Sequence, residues 1–284
     1  MAHRRVDVEG VDTFYREAGP PEAPVLLLPH GYPCSSYEFR NLLPRLAGRW
    51  HLVAPDFPGC GYSATPDDFP YDFDGYADFL HAFCLRLGVQ RTAVWLHDFD
   101  SQIGLRFAIA HPEAISALVI QNGDIYEDQL GPGYAGLREY WDDPSPTQRA
   151  TLAEAVTEDG FREEFLNDLT ENLRETVPPD LWRLHWSLMT PRRREIAVEV
   201  IAGLRENLSW FPRYQAWLRN HQPPTLVVWG CRDRYMPTGA ALAYRRDLPD
   251  ARFHLLDDGG HWPLETHLEE VAAVTDDFLQ SVHP

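Results

Sequence analysis

Five short apolar runs set the limits on what this chain can fold into: Val25-Leu26-Leu27-Leu28, Leu52-Val53-Ala54, Ala93-Val94-Trp95-Leu96, Ala117-Leu118-Val119-Ile120 and Leu226-Val227-Val228-Trp229. Each breaks near Pro, Gly, Asn or Asp. A run this short with no polar face reads as a strand buried on both sides. Between several of the runs lie helical patterns. After Pro70, for example, Phe73, Tyr76, Leu80, Phe83 and Leu87 recur at three- and four-residue spacing. Strand, helix, strand alternation predicts an α/β fold with a mostly parallel, doubly wound sheet.

The alternation stops after Ile120. From about Tyr126 to Tyr214 the periodicity is helical, as in Phe161, Phe165, Leu169 and in Ile196, Val200, Leu204, Leu208, with Pro191 placed for a first helical turn. Strand character resumes at Leu226. An all-helical stretch interrupting a parallel sheet predicts a cap at the strands' carboxyl ends, where such folds bind ligands. The expected division is residues 1–125 for the first part of the core, 126–215 for the helical cap and 216–284 for the rest of the core. A chain of 284 residues suits one large core with an insertion.

Charge and cysteine usage narrow the function classes. A formal net charge of −18 and a pI near 5.0 argue against nucleic acid and anionic membranes as partners. No run approaches the roughly 18 apolar residues needed to cross a bilayer, and the first residues lack the apolar stretch of a signal peptide. Cys34, Cys60, Cys84 and Cys231 show no paired metal-ligand spacing. The expectation is a soluble cytoplasmic protein with a small-molecule substrate, no metal and no cofactor. The sequence leaves a homodimer open.

The chemistry concentrates in Val94-Trp95-Leu96-His97-Asp98-Phe99-Asp100-Ser101-Gln102, an apolar strand running straight into a helix. Such a turn pushes one side chain out above the sheet with the helix's free N–H groups behind it, and Asp98 stands at that corner. Alone, Asp98 also fits a simple helix cap. Three further segments sit where a nucleophile needs them. His30-Gly31-Tyr32-Pro33 follows the first apolar strand, so that Tyr32 N–H and Phe99 N–H can hold an oxyanion. Gly230-Cys231-Arg232-Asp233 places a carboxylate at the same sheet edge, and Gly259-Gly260-His261-Trp262-Pro263 supplies an imidazole. Separately, Asp233 could be a turn residue, His261 a helix-start residue and His30 a packed histidine. Together they follow the nucleophile, acid, histidine order of a catalytic triad. Asp124 is a second candidate for the acid. Ser101 is a weaker rival nucleophile, already inside the helix between the bulky Phe99 and Ile103.

These segments, with Asp56-Phe57-Pro58-Gly59-Cys60-Gly61-Tyr62-Ser63, resemble the motifs of α/β-hydrolases of the epoxide hydrolase and haloalkane dehalogenase group, over nearly the whole chain. The resemblance implies the α/β-hydrolase fold: a mostly parallel eight-stranded sheet flanked by helices, with an inserted helical cap. It also implies Asp98 as nucleophile, His261 as base for water, Asp233 as its partner, and Tyr32 and Phe99 as oxyanion donors. The chain departs from the pattern at the elbow, where Leu96 and Asp100 replace small residues. Bulk there crowds the turn, and a second ionised carboxylate beside the first costs energy.

A side chain with a reference pKa of about 3.9 is already ionised at neutral pH and attacks carbon unaided. Attack on an epoxide or halide gives an ester on Asp98 that His261-activated water cleaves. The halide enzymes resemble one another in carrying Trp after the nucleophile and an amide donor after His-Gly, whereas this chain has Phe99 and Tyr32. Fluoroacetate-type dehalogenases carry Arg after the nucleophile. Tyr-Pro after His-Gly is closer to the epoxide hydrolases, so epoxide opening to a diol is the leading expectation. The alternatives are dehalogenation, ester or lactone hydrolysis, and ligand binding without catalysis. Five of nine tryptophans, Trp141, Trp182, Trp186, Trp210 and Trp217, fall in or beside the cap, which points to a bulky or aromatic substrate. Trp186, His185, Tyr126 and Trp262 are the candidate substrate contacts. The acid for the departing oxygen is open among Tyr126, Tyr134, Tyr140 and Tyr214.

Overall fold

The computed structural model describes residues 1–283. Its strands are β1 (Ala2–Val8), β2 (Val11–Ala18), β3 (Val25–Leu27), β4 (His51–Pro55), β5 (Thr92–His97), β6 (Ile115–Gln121), β7 (Thr225–Gly230) and β8 (Arg252–Leu256). They form one sheet in the order β1-β2-β4-β3-β5-β6-β7-β8. The pairs from β4 to β8 are parallel, and β1 and β2 are antiparallel additions at one edge. This is the expected α/β-hydrolase architecture.

All five apolar runs lie in or at the end of strands buried on both faces. Val94 and Leu96 pack into one core layer, while Ala93 and Trp95 pack into the other. The β1–β2 hairpin is an addition to the expected strands. Its alternating burial follows the polar and apolar alternation of the first residues, and Glu9 and Gly10 turn the chain with φ of 50° and 88°. A two-residue turn with both φ positive matches the natural twist of a hairpin.

Three helices position the site. Helix α1 (Phe73–Arg86) is capped by Asp72, whose carboxylate accepts from Gly75 N–H, and packs beside α2 (Phe99–Ala110), which rises directly from β5. Helix α3 (Glu158–Leu166) belongs to the helical run between β6 and β7, where α4 (Asp180–Ser187), α5 (Pro191–Leu208) and α6 (Phe211–His221) also lie. Residue 215, the expected end of the insertion, falls inside α6. Arg106 of α2 pins that helix by donating to Tyr214 Oη at 2.9 Å and Asn207 Oδ1 at 2.8 Å, with Trp210 stacked on its guanidinium. Two small apolar clusters of the insertion reach the core. Phe165 and Leu181 pack with Trp262 and Cys34, and Phe161 packs with Tyr32 and Phe99.

Candidate active site

Asp98 stands between β5 and α2 with φ 52° and ψ −131°. An L-residue held at positive φ stores roughly 1–3 kcal/mol of strain and needs its surroundings to hold it. Here Asp98 N–H donates to Asn122 O at 3.1 Å, and Ser101 N–H donates to Asp98 O at 3.1 Å. Gly31 makes the approach possible, since a Cβ there would lie 2.8 Å from Asp98 Cβ.

The two carboxylate oxygens face different partners. Oδ1 accepts the Tyr32 N–H at 2.8 Å, and Oδ2 lies 3.4 Å from His261 Nε2. The Phe99 N–H also reaches the carboxylate. Burial opposes the charge, but His261, with His97 and the Phe99 N–H, lowers the Asp98 pKa below its ordinary value. The imidazole is fixed from the far side, with His261 Nδ1 2.6 Å from Asp233 Oδ2. Burial opposes its protonation too, and the Asp233 and Asp98 carboxylates overcome that and hold the His261 pKa well above its usual value.

Asp233 has every lone pair engaged. Its Oδ2 also accepts Asn122 Nδ2 at 2.9 Å, and Oδ1 accepts Tyr235 N–H at 2.8 Å and Met236 N–H at 3.0 Å. Asp124 is buried nearby but turned toward Tyr134 Oη at 3.5 Å. Burial and the neighbouring Asp233 charge raise its pKa to about 8. Asp233, not Asp124, therefore faces the imidazole.

A buried strut sets the register of the three loops. Glu38 accepts Gly31 N–H at 3.1 Å with one oxygen and pairs with His97 Nδ1 at 2.9 Å through the other. His97 Nε2 in turn lies 2.9 Å from His261 O. Neither Glu38 nor His97 is among the site residues expected from sequence. His97 did carry a signal, as the polar end of an apolar strand immediately before the nucleophile. His30 takes its bland alternative. Its Nε2 accepts Phe57 N–H at 3.1 Å, and burial lowers its pKa.

The elbow corrects the expectation of crowding and repulsion. Leu96 fits because α2 has Gly104 opposite it, where a Cβ would lie 2.3 Å from Leu96 Cδ2. Asp100 is fully buried, and burial with the nearby Glu38 charge holds its pKa well above the carboxylate range. A neutral Asp100 does not compete with the Asp98 charge. Ser101 is buried with no partner for its Oγ, which sits against Gly123.

The expected substrate contacts divide. A cavity of about 80 Å³ is lined by Tyr32, Phe99, Phe161, His185, Met189 and Ile196, among others. Tyr32 and Phe99 stack at 5.5 Å, so the pair is shared by the cavity wall and the carboxylate, which itself does not line the space. His185 lines it as a neutral wall rather than a free donor. Its Nδ1 lies 2.7 Å from Leu181 O, its Nε2 3.2 Å from Ser35 Oγ, and burial pushes its pKa down to about 3. Trp186 packs edge-on to Phe161 at 5.9 Å, and Trp262 is wedged among His97, Phe165 and His261. Tyr126 is placed elsewhere, as a strut whose Oη donates to Asp247 Oδ2 at 2.7 Å. Of the other tyrosines considered for proton donation, Tyr214 is tied to Arg106 and Tyr134 faces Asp124. Among the described residues, no group of three or more His, Cys, Asp or Glu is arranged to hold a metal, and no helix is long and apolar enough to cross a membrane.

The family model for the alpha/beta hydrolase fold matches residues 24–268. An uncharacterized hydrolase of Saccharomyces cerevisiae is 33% identical over 271 residues, 93% of this chain and 92% of that protein. A 2-hydroxy-6-oxo-6-(2'-aminophenyl)hexa-2,4-dienoic acid hydrolase of Metapseudomonas resinovorans is 29% identical over 97% of this chain and 90% of its own. Among solved structures, a haloalkane dehalogenase from Bradyrhizobium elkani superposes with a TM-score of 0.81 at 21% identity, over 99% of this chain and 98% of that one.

Proposed function

The chain belongs to the α/β-hydrolase fold family, and from that premise we propose that it opens an epoxide to a diol through an ester on Asp98, beneath a helical cap formed by the insertion. The observation that carries the reading is the division of labour between the two Asp98 oxygens, one on the Tyr32 N–H and the other facing His261. Oδ2 attacks the ring carbon. Oδ1 becomes the ester carbonyl oxygen, already seated on the N–H donors that stabilise it when water adds.

Forming the ester removes the Asp98 charge. One of the two carboxylates that hold a proton on His261 is then lost, so the imidazole becomes a base at the stage that needs one. Asp233 keeps it oriented throughout. An apolar, aromatic wall of Tyr32, Phe99 and Phe161 suits an aryl or alkyl epoxide. The absence of an indole or amide side chain at Phe99 and Tyr32 favours an oxygen over a halide as the leaving group.

A single turnover of styrene oxide in ¹⁸O-water, followed by mass analysis of the Asp98 peptide, tests the ester. Label is expected in the Asp98 carboxylate. Label confined to the diol rejects the covalent route, and release of acid from an aryl ester with labelling of Ser101 would favour an esterase.

A further inference from the structure

Ring opening needs a proton for the departing oxygen. Tyr126, Tyr214 and Tyr134 of the insertion are turned to Asp247, Arg106 and Asp124, and Tyr140 packs in the apolar cluster with Tyr32 and Phe99. Another acidic residue lies on the helix turn seated across the triad. Glu164 lies half-buried on α3, three residues after Phe161 and one before Phe165. Phe161 meets the Tyr32 ring edge-on at 6.0 Å, and Phe165 lies 4.7 Å from the Trp262 ring beside His261. The two aromatics therefore seat this turn of α3 across the span from the oxyanion donor to the imidazole.

The end of α3 is fastened to the loop that carries Asp233. Arg234 N–H donates to Asp168 Oδ2 at 3.2 Å, and Arg232 Nε donates to Asp168 O at 3.4 Å. With its amide turned to accept, Asn167 takes both Arg234 Nη groups at 2.5 and 2.9 Å. Arg234 also donates to Tyr235 Oη at 3.1 Å, and the Tyr235 ring meets His261 edge-on at 6.2 Å. Glu164 lies near enough for its charge to be felt by Tyr32, Arg234 and Tyr235. Tyr32 Oη is buried in this cluster without a partner.

We propose that Glu164 is the acid that protonates the leaving oxygen, with Arg234 and the Tyr235 hydroxyl receiving the charge it acquires. This rests on the epoxide reading above. As Asp98 Oδ2 bonds to the ring carbon, the C–O bond breaks, its electron pair stays on oxygen and the Glu164 proton moves there. His261 then returns its proton to the Glu164 carboxylate and is left neutral. It takes a proton from water, and the hydroxide adds to the ester carbonyl carbon. The bond from that carbon to the alkyl oxygen then breaks, and the departing oxygen takes the proton left on the added hydroxyl to become the second hydroxyl of the diol. Asp98 is again a carboxylate, His261 protonated and Glu164 neutral, so one water is consumed and nothing else. The groups that face Glu164 are consistent with this cycle. Burial and the Asp98 and Asp233 charges favour its acid form, His261 and Arg234 oppose it, and the outcome is a pKa raised to about 7.

The test uses two probes on one carbon skeleton, styrene oxide and 2-phenylethyl bromide, with the adduct on Asp98 trapped in His261→Gln. Bromide leaves without a proton. In His261→Gln/Glu164→Gln, adduct formation from the epoxide is expected to slow by about 10²-fold or more, while that from the bromide stays within about threefold. With Glu164 present, the epoxide reaction falls as pH rises above neutrality. Without it, the pH dependence is lost, and Glu164→Asp restores part of the rate. Equal rates from the epoxide with and without Glu164 overturn the assignment, as does an equal slowing with both probes, which marks a packing role. A Tyr235→Phe loss matching the effect expected of Glu164→Gln, with Glu164→Gln itself silent, moves the role to Tyr235. No adduct from either probe overturns the ester reading itself and the proton donor with it.

Discussion

Gly104→Ala should change the sign of its effect on stability according to what stands at residue 96. The added Cβ would lie 2.3 Å from Leu96 Cδ2, against an ordinary carbon contact of roughly 3.5–4 Å, and Leu96 is fully buried. Overpacking of this kind costs about 1–3 kcal/mol. A helical Gly→Ala change returns up to about 1 kcal/mol of backbone entropy, so the net result is destabilisation. Leu96→Ala alone should cost roughly 2–5 kcal/mol by opening a cavity. In that background the new methyl has room, the overlap is gone, and Gly104→Ala should stabilise by up to about 1 kcal/mol. Urea unfolding followed by tryptophan fluorescence gives the four midpoints of the cycle. Turnover should follow the same pattern, falling in Gly104→Ala because a displaced Leu96 moves the adjoining elbow. If Gly104→Ala has the same effect in both backgrounds within about 0.5 kcal/mol, the two sites are independent and the claim that Gly104 makes room for Leu96 fails.

His261→Gln should accumulate the Asp98 adduct at near-normal speed while release stops, seen as a persistent mass increase on the Asp98 peptide. Asp233→Asn should slow release by roughly 10²-fold or more, because it removes the acceptor at 2.6 Å from His261 Nδ1; Asp124→Asn should leave release within a few-fold. Asp124 carries a pKa of about 8 when folded, above the unfolded carboxylate value, so the native state holds a proton that the unfolded chain loses. Stability should therefore fall as pH rises from about 4 to about 8, and Asp124→Asn should flatten that slope in melting temperatures measured between pH 5 and 8. Tyr126→Phe should cost about 1–3 kcal/mol by stranding buried Asp247 Oδ2, with turnover unchanged in a steady-state assay.

What the sequence made legible is what the backbone carries. Strands buried on both faces announce themselves as apolar runs, and the residues just beyond their carboxyl ends must come to one sheet edge. Asp98, Asp233 and His261 could thus be assembled from chain order alone. The proposed oxyanion donors are legible for the same reason, being backbone N–H groups at the turns of Tyr32 and Phe99. Contacts between segments distant in sequence left no such trace. Nothing near Leu96 reveals that Gly104 lies opposite it, and the partnership of Glu38 with His97 spans 59 residues. Helical periodicity places Phe161 and Phe165 on one stripe, yet it does not say whether that stripe faces the triad or another helix. An aromatic near a motif was consequently a poor guide. Tyr126 looks the same in sequence as a tyrosine in the site, and its hydroxyl is spoken for by Asp247.

The charge state of the site follows from which carboxyls receive donors. Five acidic side chains crowd this region of an already acidic protein: Asp98, Asp100, Asp124, Glu164 and Asp233. Were all ionised, their mutual repulsion in a buried setting would defeat the fold or demand a cation. The protein instead concentrates its donors on two of them, while Asp100 and Asp124 each accept a single long bond, from His97 N–H and Tyr134 Oη. Asp233 takes two backbone N–H groups, an amide and the imidazole, and Asp98 takes the Tyr32 N–H and faces the same imidazole. Asp100, Asp124 and Glu164 are left with burial as the leading influence on each, which raises their pKa values. One imidazolium thus lies between two carboxylates, with acids around them whose ionisation is shifted toward neutral pH or beyond. In the proposed route, an ester on Asp98 would shift that balance by a full unit of charge at 3.4 Å from His261. On that proposal, the nucleophilic step prepares the hydrolytic one through charge alone.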